Sequence, residues 1–315
     1  MMKLTSLLCL ITAFSFAQQK PDLAFTLKEK DLIPEGIAFD AVSKTFFVSS
    51  IYKRKIVKIT TDKTVSDFVK SSQNDILEVL GMKVDKQGHL WACNNSPEDD
   101  TLNRIANIHV YDVKSGKLIK HLKLSDGTKH LFNDLYFLKN GDTYVTDSEA
   151  GAVYRIPKDS NTLEEFIKRG SFSYPNGITA TADESKLIVS TGSARGIVSV
   201  DLATKEIKHI AHSKFLVIGT DGLYRYGHNL IGVQNVLFPE GVIKFSINDN
   251  YTTLEKLEFL TSSEPQFDTP TTGVIVGEEF YFIANSQLTQ LMGNKGKIKN
   301  PEKLQETLIM KIKLN

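Results

Sequence analysis

Glu35, Asn133, Asn176 and Asp221 share one local setting: each directly precedes a glycine, or in one case Asp134, that opens a short apolar–polar alternation. The segments read "PEGIAFD", "FNDLYFL", "PNGITAT" and "TDGLYRY". All four side chains offer hard oxygen donors, with no histidine nitrogen or cysteine sulfur among them. That chemistry suits Ca²⁺ better than zinc or copper. Glu35 and Asp221 supply two negative charges, enough to balance one divalent ion, and four protein ligands leave positions open for water or a substrate. An ion held this way can polarise a carbonyl and activate a water. Taken singly, Asn, Asp and Glu beside glycine are ordinary turn formers. Only their convergence on one place would make them a site.

Convergence needs a repeat, and the chain has one. "VLGMKVD", with Leu80 before its glycine, and "TTGVIVG", with Thr272, have the same form. From Gly36 the anchors recur after 45, 53, 43, 45 and 51 residues, which is the period of four-stranded propeller blades. Each anchor strand is followed by a second ("TFFVSS", "HLWACN", "DTYVTDS", "KLIVST", "NLIGVQN", "EFYFIAN") and a third ("KIVKIT", "NIHVYD", "AVYRIP", "GIVSVD", "GVIKFS", "LIMKIKL"). Five repeats carry a fourth strand, and the sixth ends after its third. The unassigned "LAFTLKEKD", Leu23 to Asp31, is expected to complete it and so pair an open edge. The fold class predicted is all-β: one six-bladed β-propeller spanning 18–315. Innermost strands line a propeller's channel, so Glu35, Leu80, Asn133, Asn176, Asp221 and Thr272 should meet at one end of it.

The balance of 38 basic and 37 acidic residues, with no long basic run, argues against nucleic acid as a partner. The opening "MMKLTSLLCLITAFSFAQQ" reads as a secretory leader cleaved after Ala17, which places the mature chain outside the cytoplasm, secreted or periplasmic. No later segment is apolar for long enough to span a membrane as a helix. Leu8 before Cys9 does not fit lipid attachment. With Cys9 removed, Cys93 is the one remaining thiol, so the domain is held by its core or by a metal.

Alternating strand direction returns the loops between second and third strands to the face where the anchors lie. Two of these loops are long, Asn94 to Ala106 and Ser286 to Glu306. They are expected to rise beside Glu35 as a lid, with Asn300 and Pro301 starting a helical turn and Leu288, Leu291 and Met292 as candidate lining. Second-strand ends reach the same rim at Ser49, Asn94, Asp147, Ser190, Asn235 and Asn285; Asn94 and Asp147, with Asn133, are taken as candidate substrate contacts. His130, three residues before Asn133, is a candidate general base if it points inward. Asp134, which replaces the anchor glycine, is a candidate base or a carboxylate supporting the ligands. Neither G-x-S-x-G nor H-E-x-x-H occurs, which disfavours a serine hydrolase and a zinc protease.

The set "PEGIAFD", "FND", "PNGI" and "TDG" resembles the senescence-marker-protein/gluconolactonase-like family and, more distantly, the paraoxonases. The resemblance implies a calcium-binding Glu, Asn and Asp at Glu35, Asn176 and Asp221, with Asn133 at the metal or the substrate. It also implies hydrolysis of a lactone or related ester, with Asp221 helping to activate the water. Two positions depart from the family pattern: Leu131 stands where sugar-lactonase members typically carry a substrate-contacting arginine, and Gly222 where some bacterial lactonases carry serine. The first moves the expectation away from an aldonolactone. Two functions follow from these readings. One is a Ca²⁺-dependent hydrolase with Asp221, Asp134 or His130 deprotonating the water; the other is a non-catalytic propeller that binds a small ligand or protein through the same face.

Overall fold

The computed structural model describes residues 18–97, 105–193, 195–212 and 214–315. The leader read in residues 1–17 and the middle of the second-blade insertion lie outside them. Six four-stranded antiparallel sheets follow one another in chain order. Their innermost strands are Ile37–Asp40, Glu78–Val84, Phe132–Phe137, Pro175–Ala180, Thr220–Tyr226 and Gly273–Val276. These define blades 1 to 6.

The sixth blade closes the ring as the sequence predicts. Its third strand, Thr307–Lys313, pairs with Asp22–Leu27 from the start of the chain, with Asp22 opposite Lys311 and Leu27 opposite Thr307. The closing strand ends four residues short of the expected Asp31. Residues 28–31 turn instead toward Leu32 and Ile33, which are buried beside blade 1.

The strand types follow from position in the blade. Second strands are covered on both faces and read as nearly continuous apolar runs, such as Thr45–Ser50, buried throughout. Outer strands such as Val65–Val69 are mostly exposed and carry polar side chains, which blunts the free edge. The core is divided into six clusters, one at each blade–blade interface. Phe47 and Tyr111 pack between blades 1 and 2, for example, and Phe245 between blades 4 and 5. Among the described residues no helix is long and apolar enough to cross a membrane.

Candidate functional site

A shared irregularity aims the donors. In blade 3, Phe132 pairs with Asp147 and Leu135 with Val145, so Asn133 and Asp134 together oppose Thr146. The same two-against-one bulge spans Leu80–Gly81, Asn176–Gly177 and Asp221–Gly222. A bulge turns a side chain out of the regular alternation, and in blades 2 to 5 it falls on the anchor and the residue before it, Leu80, Asn133, Asn176 and Asp221. The anchor glycine serves close approach of neighbouring blades. A Cβ on Gly36 would lie 2.2 Å from the Leu80 carbonyl oxygen, and one on Gly177 would lie 2.4 Å from that of Asp221. The repeat thus fixes both where a donor points and how near its neighbour comes.

Glu35, Asn133, Asn176 and Asp221 each leave one buried oxygen without a hydrogen-bond partner: Oε2, Oδ1, Oδ1 and Oδ1. The second polar atoms of Asn133, Asn176 and Asp221 are tied down. The Asn133 amide donates to Ser148 Oγ at 3.1 Å, and that hydroxyl donates onward to the Pro175 carbonyl at 2.6 Å. Asp221 Oδ2 accepts from Asn235 Nδ2 at 2.6 Å, and the Asn176 side chain bonds to the same carboxylate. The Glu35 backbone is gripped by the Thr271 and Thr272 hydroxyls, both donating to its carbonyl. Thr272 therefore closes the ring without offering a free donor, and Leu80 is its apolar member.

Orphaned buried oxygens are costly unless something outside the chain satisfies them. The same crowding acts on charge. Burial, with Asp221 and then Asp134 nearby, pushes the Glu35 carboxyl well above the usual range, with Lys83 opposing. Asp221 is raised to about 7 by burial, against the hydrogen bonds from Asn235 and Asn176 and reinforced by Asp134. Among the described residues no three His, Cys, Asp or Glu side chains form a metal-holding group by themselves. The two amide oxygens are therefore indispensable to any site here. Four oxygens including two carboxylates, all lacking partners, suit a hard divalent cation.

Asp134 lies behind this ring rather than in it. Its Oδ1 receives the Lys83 ammonium and the Leu135 N–H, and Lys83 sits 5.8 Å from the Tyr224 ring centroid. Lys83, Tyr224, Ser148, Thr271 and Asn95, whose amide clasps the Phe132 backbone through bonds of 2.8 and 2.9 Å, are absent from the sequence-derived set. Asn95 and Ser148 fall one residue beyond the predicted rim positions Asn94 and Asp147.

The structure does not bring His130, Asp147 and Asn94 into the ring. His130 is fully buried, with Nδ1 2.6 Å from Asp147 and Nε2 2.9 Å from Asp126, so both ring nitrogens are engaged. Asp147 also accepts from the Leu131 and Ala150 N–H groups. This cluster pins the segment that delivers Asn133. Asn94 accepts from Leu77 N–H at 2.6 Å. Burial works against the His130 imidazolium, but the bonds to Asp147 and Asp126 outweigh it and raise its pKa. The stability it contributes is full below the ordinary histidine range and is lost as pH rises through the raised value. His130→Ala should cost about 3 kcal/mol in denaturant unfolding at pH 6 and less at alkaline pH, since it strands a buried carboxylate.

The blade-6 insertion is built as expected, with differences in detail. Leu288–Gln290 and Pro301–Lys303 are single 3₁₀ turns, the second starting at Asn300–Pro301. Leu291 and Leu304 are buried against Ile33, Ile51, Leu80 and Leu131, with Leu288 and Ile298 partly so. Met292, expected to line the pocket, is exposed. Asn285 and Gln287 clamp the neck of the loop by side-chain bonds to Glu306, Leu308 and Gln305. The lid thus covers the ring from the side of blades 1 to 3.

Comparison with curated protein sequences returned no match. Solved structures share the fold. A gluconolactonase from Xanthomonas campestris is 17% identical, with 93% of this chain and 95% of that chain covered and a TM-score of 0.62. A calcium-binding protein, regucalcin, from Agrobacterium tumefaciens is 14% identical, with 91% and 93% covered and a TM-score of 0.62. Virginiamycin B lyase from Staphylococcus aureus is 15% identical, with 93% and 100% covered and a TM-score of 0.60. The model of the SMP-30/gluconolactonase/LRE-like region matches residues 35–223, a span that begins on Glu35 and ends just past Asp221. It contains all four unpartnered donors, and on that match the chain belongs to the SMP-30/gluconolactonase/LRE-like family.

Proposed function

We propose that this chain is a Ca²⁺-dependent hydrolase of a lactone or related ester, and that Glu35, Asn133, Asn176 and Asp221 hold the ion. What supports this reading is a set of four unpartnered buried oxygens, one from each of four blades. When bound, a divalent cation polarises a carbonyl oxygen and eases deprotonation of water. Asn133 and Asn176 are positioned with their amide nitrogens tied back and their oxygens free, so they orient without titrating. Asp221, ionised when the ion is bound, takes a proton from the attacking water. The water oxygen bonds to the carbonyl carbon, the acyl carbon–oxygen bond breaks, and the departing alkoxide recovers the proton. Asp134 is engaged by Lys83 and His130 by two carboxylates, which leaves the base role to Asp221.

A secreted or periplasmic location, part of the same proposal, would supply calcium at the level a solvent-facing four-ligand site needs. The tight cover over the ring favours a second reading, an ion that serves binding or stability alone: Glu35 and Asn133 are each only 3% exposed and Asp221 8%. A panel of lactones and aryl esters assayed with calcium and with EDTA separates the two. The hydrolase reading expects turnover of at least one member that EDTA abolishes. Absence of turnover across the panel in calcium would leave only the second.

A further inference from the structure

The lid packs on residues of blades 1 to 3. On the side of blades 4 and 5, Asn176 is only half-buried as a residue, although its unpartnered Oδ1 is itself buried. Three segments of these blades rise on the same face, 171–177, 215–219 and 235–239. None contains a charged residue, although 24% of the chain is charged and about four would be expected in such a length. Each presents a large apolar side chain to solvent: Tyr174 is 46% exposed, Leu216 56%, Val236 63% and Phe238 89%.

These residues are coupled to the ring by covalent neighbourhood and packing. Tyr174 is two residues before Asn176. Val236 follows Asn235, the residue that holds Asp221, and lies against Gly219 so closely that a Cβ there would be 2.4 Å away. Tyr174 also has a φ of 50°, the left-handed region that a bulky side chain rarely occupies. Gly192 N–H bonds to the Ser173 and Tyr174 carbonyls and keep it there. A partly exposed aromatic on a left-handed backbone is the kind of outlier found where a ligand is held.

Resting on the hydrolase reading, we infer that Tyr174, Leu216, Val236 and Phe238 form an apolar mouth that takes the hydrophobic arm of the substrate. The substrate class is thus an ester or lactone carrying an alkyl or aryl chain of several carbons, its carbonyl at the ring and its chain over blades 4 and 5.

The test compares wild type with Val236→Ser/Phe238→Ser and with Tyr174→Gly. One readout is hydrolysis of 4-nitrophenyl esters from acetate to decanoate. The other is calorimetric binding of a γ-lactam, not turned over, with and without an octyl chain. Wild type should favour the octyl lactam and the longer esters by about tenfold or more, as several buried methylenes imply. Both variants should lose that preference while keeping wild-type calcium affinity, and Tyr174→Gly should do so without lowering the thermal midpoint. Chain-length preference in lactam binding without hydrolysis of any ester would support the mouth and overturn only the hydrolase reading. Equal binding of both lactams by wild type, or an unchanged preference in the variants, would overturn the mouth. So would a self-associating wild type that Phe238→Ser makes monomeric with no effect on chain length, which would assign the surface to a second copy of the chain.

Discussion

Asp221→Asn should lower kcat/KM by about 10³-fold on whichever ester or lactone the wild type turns over, within the range for removing a general base. The substitution keeps the shape and the hydrogen bond from Asn235, and it removes the proton acceptor and one of the two carboxylates facing the ring. Calcium affinity should fall with it, since one negative charge no longer balances a divalent ion. The stability of the metal-free protein should move the other way. Wild-type Asp221 is held near 7, against an ordinary value of 3.8, mainly because its charge is buried. At pH 8 it is ionised in the folded protein at a cost on the order of 4 kcal/mol, which the neutral amide avoids. A variant that is less active yet more resistant to urea without calcium is the combined signature. An equal loss of activity and stability would mean a merely damaged fold.

Chelation should lower the thermal midpoint by roughly 4 °C when calcium had been present at about 100 times its dissociation constant, which corresponds to about 2.7 kcal/mol in a domain of this size. The effect should depend on pH. Glu35 and Asp221 both have raised values in the folded chain, so their contribution to metal-free stability is full below the ordinary carboxylate range and is lost as pH rises through the raised values, about 7 for Asp221. His130, also raised, acts in the same direction over the upper part of that window. Scanning calorimetry of EDTA-treated protein should therefore show the midpoint falling between pH 4 and 8. With calcium the fall should be much reduced, because the ion holds both carboxylates in the charged form. A metal-free midpoint that is flat or rising over this window would contradict the placement of two crowded, buried carboxylates.

Much of this arrangement is legible in the sequence because the propeller repeats itself. Glycine-type anchors at blade spacing identify the fold, and comparison of the residue before each anchor picks out the four donors that the structure leaves without partners. Closure by the N-terminal strand follows from counting strands. What stays hidden depends on contacts between repeats. Lys83 reaches Asp134 across 51 residues and a blade boundary, and no pattern within either segment signals it. In blades 2 and 3 the rim is displaced by one residue, to Asn95 and Ser148, and apolar alternation alone does not show the bulge in those inner strands. His130 reads as a loop histidine. It is buried because Asp126 and Asp147, four residues before and seventeen after, close on it from both sides.

Whether Glu35, Asn133, Asn176 and Asp221 together hold one divalent ion is decided by calorimetric titration of chelator-stripped protein with calcium, wild type against Asn176→Ala. Asn176 carries no charge and its amide oxygen has no other partner, so its loss removes a ligand without changing the balance of charge. One calcium should bind per wild-type chain, with proton release near neutral pH, and the variant's affinity should be weaker by about tenfold or more. Absence of calcium binding by the wild type, or equal affinity in the two proteins, would contradict that shared site.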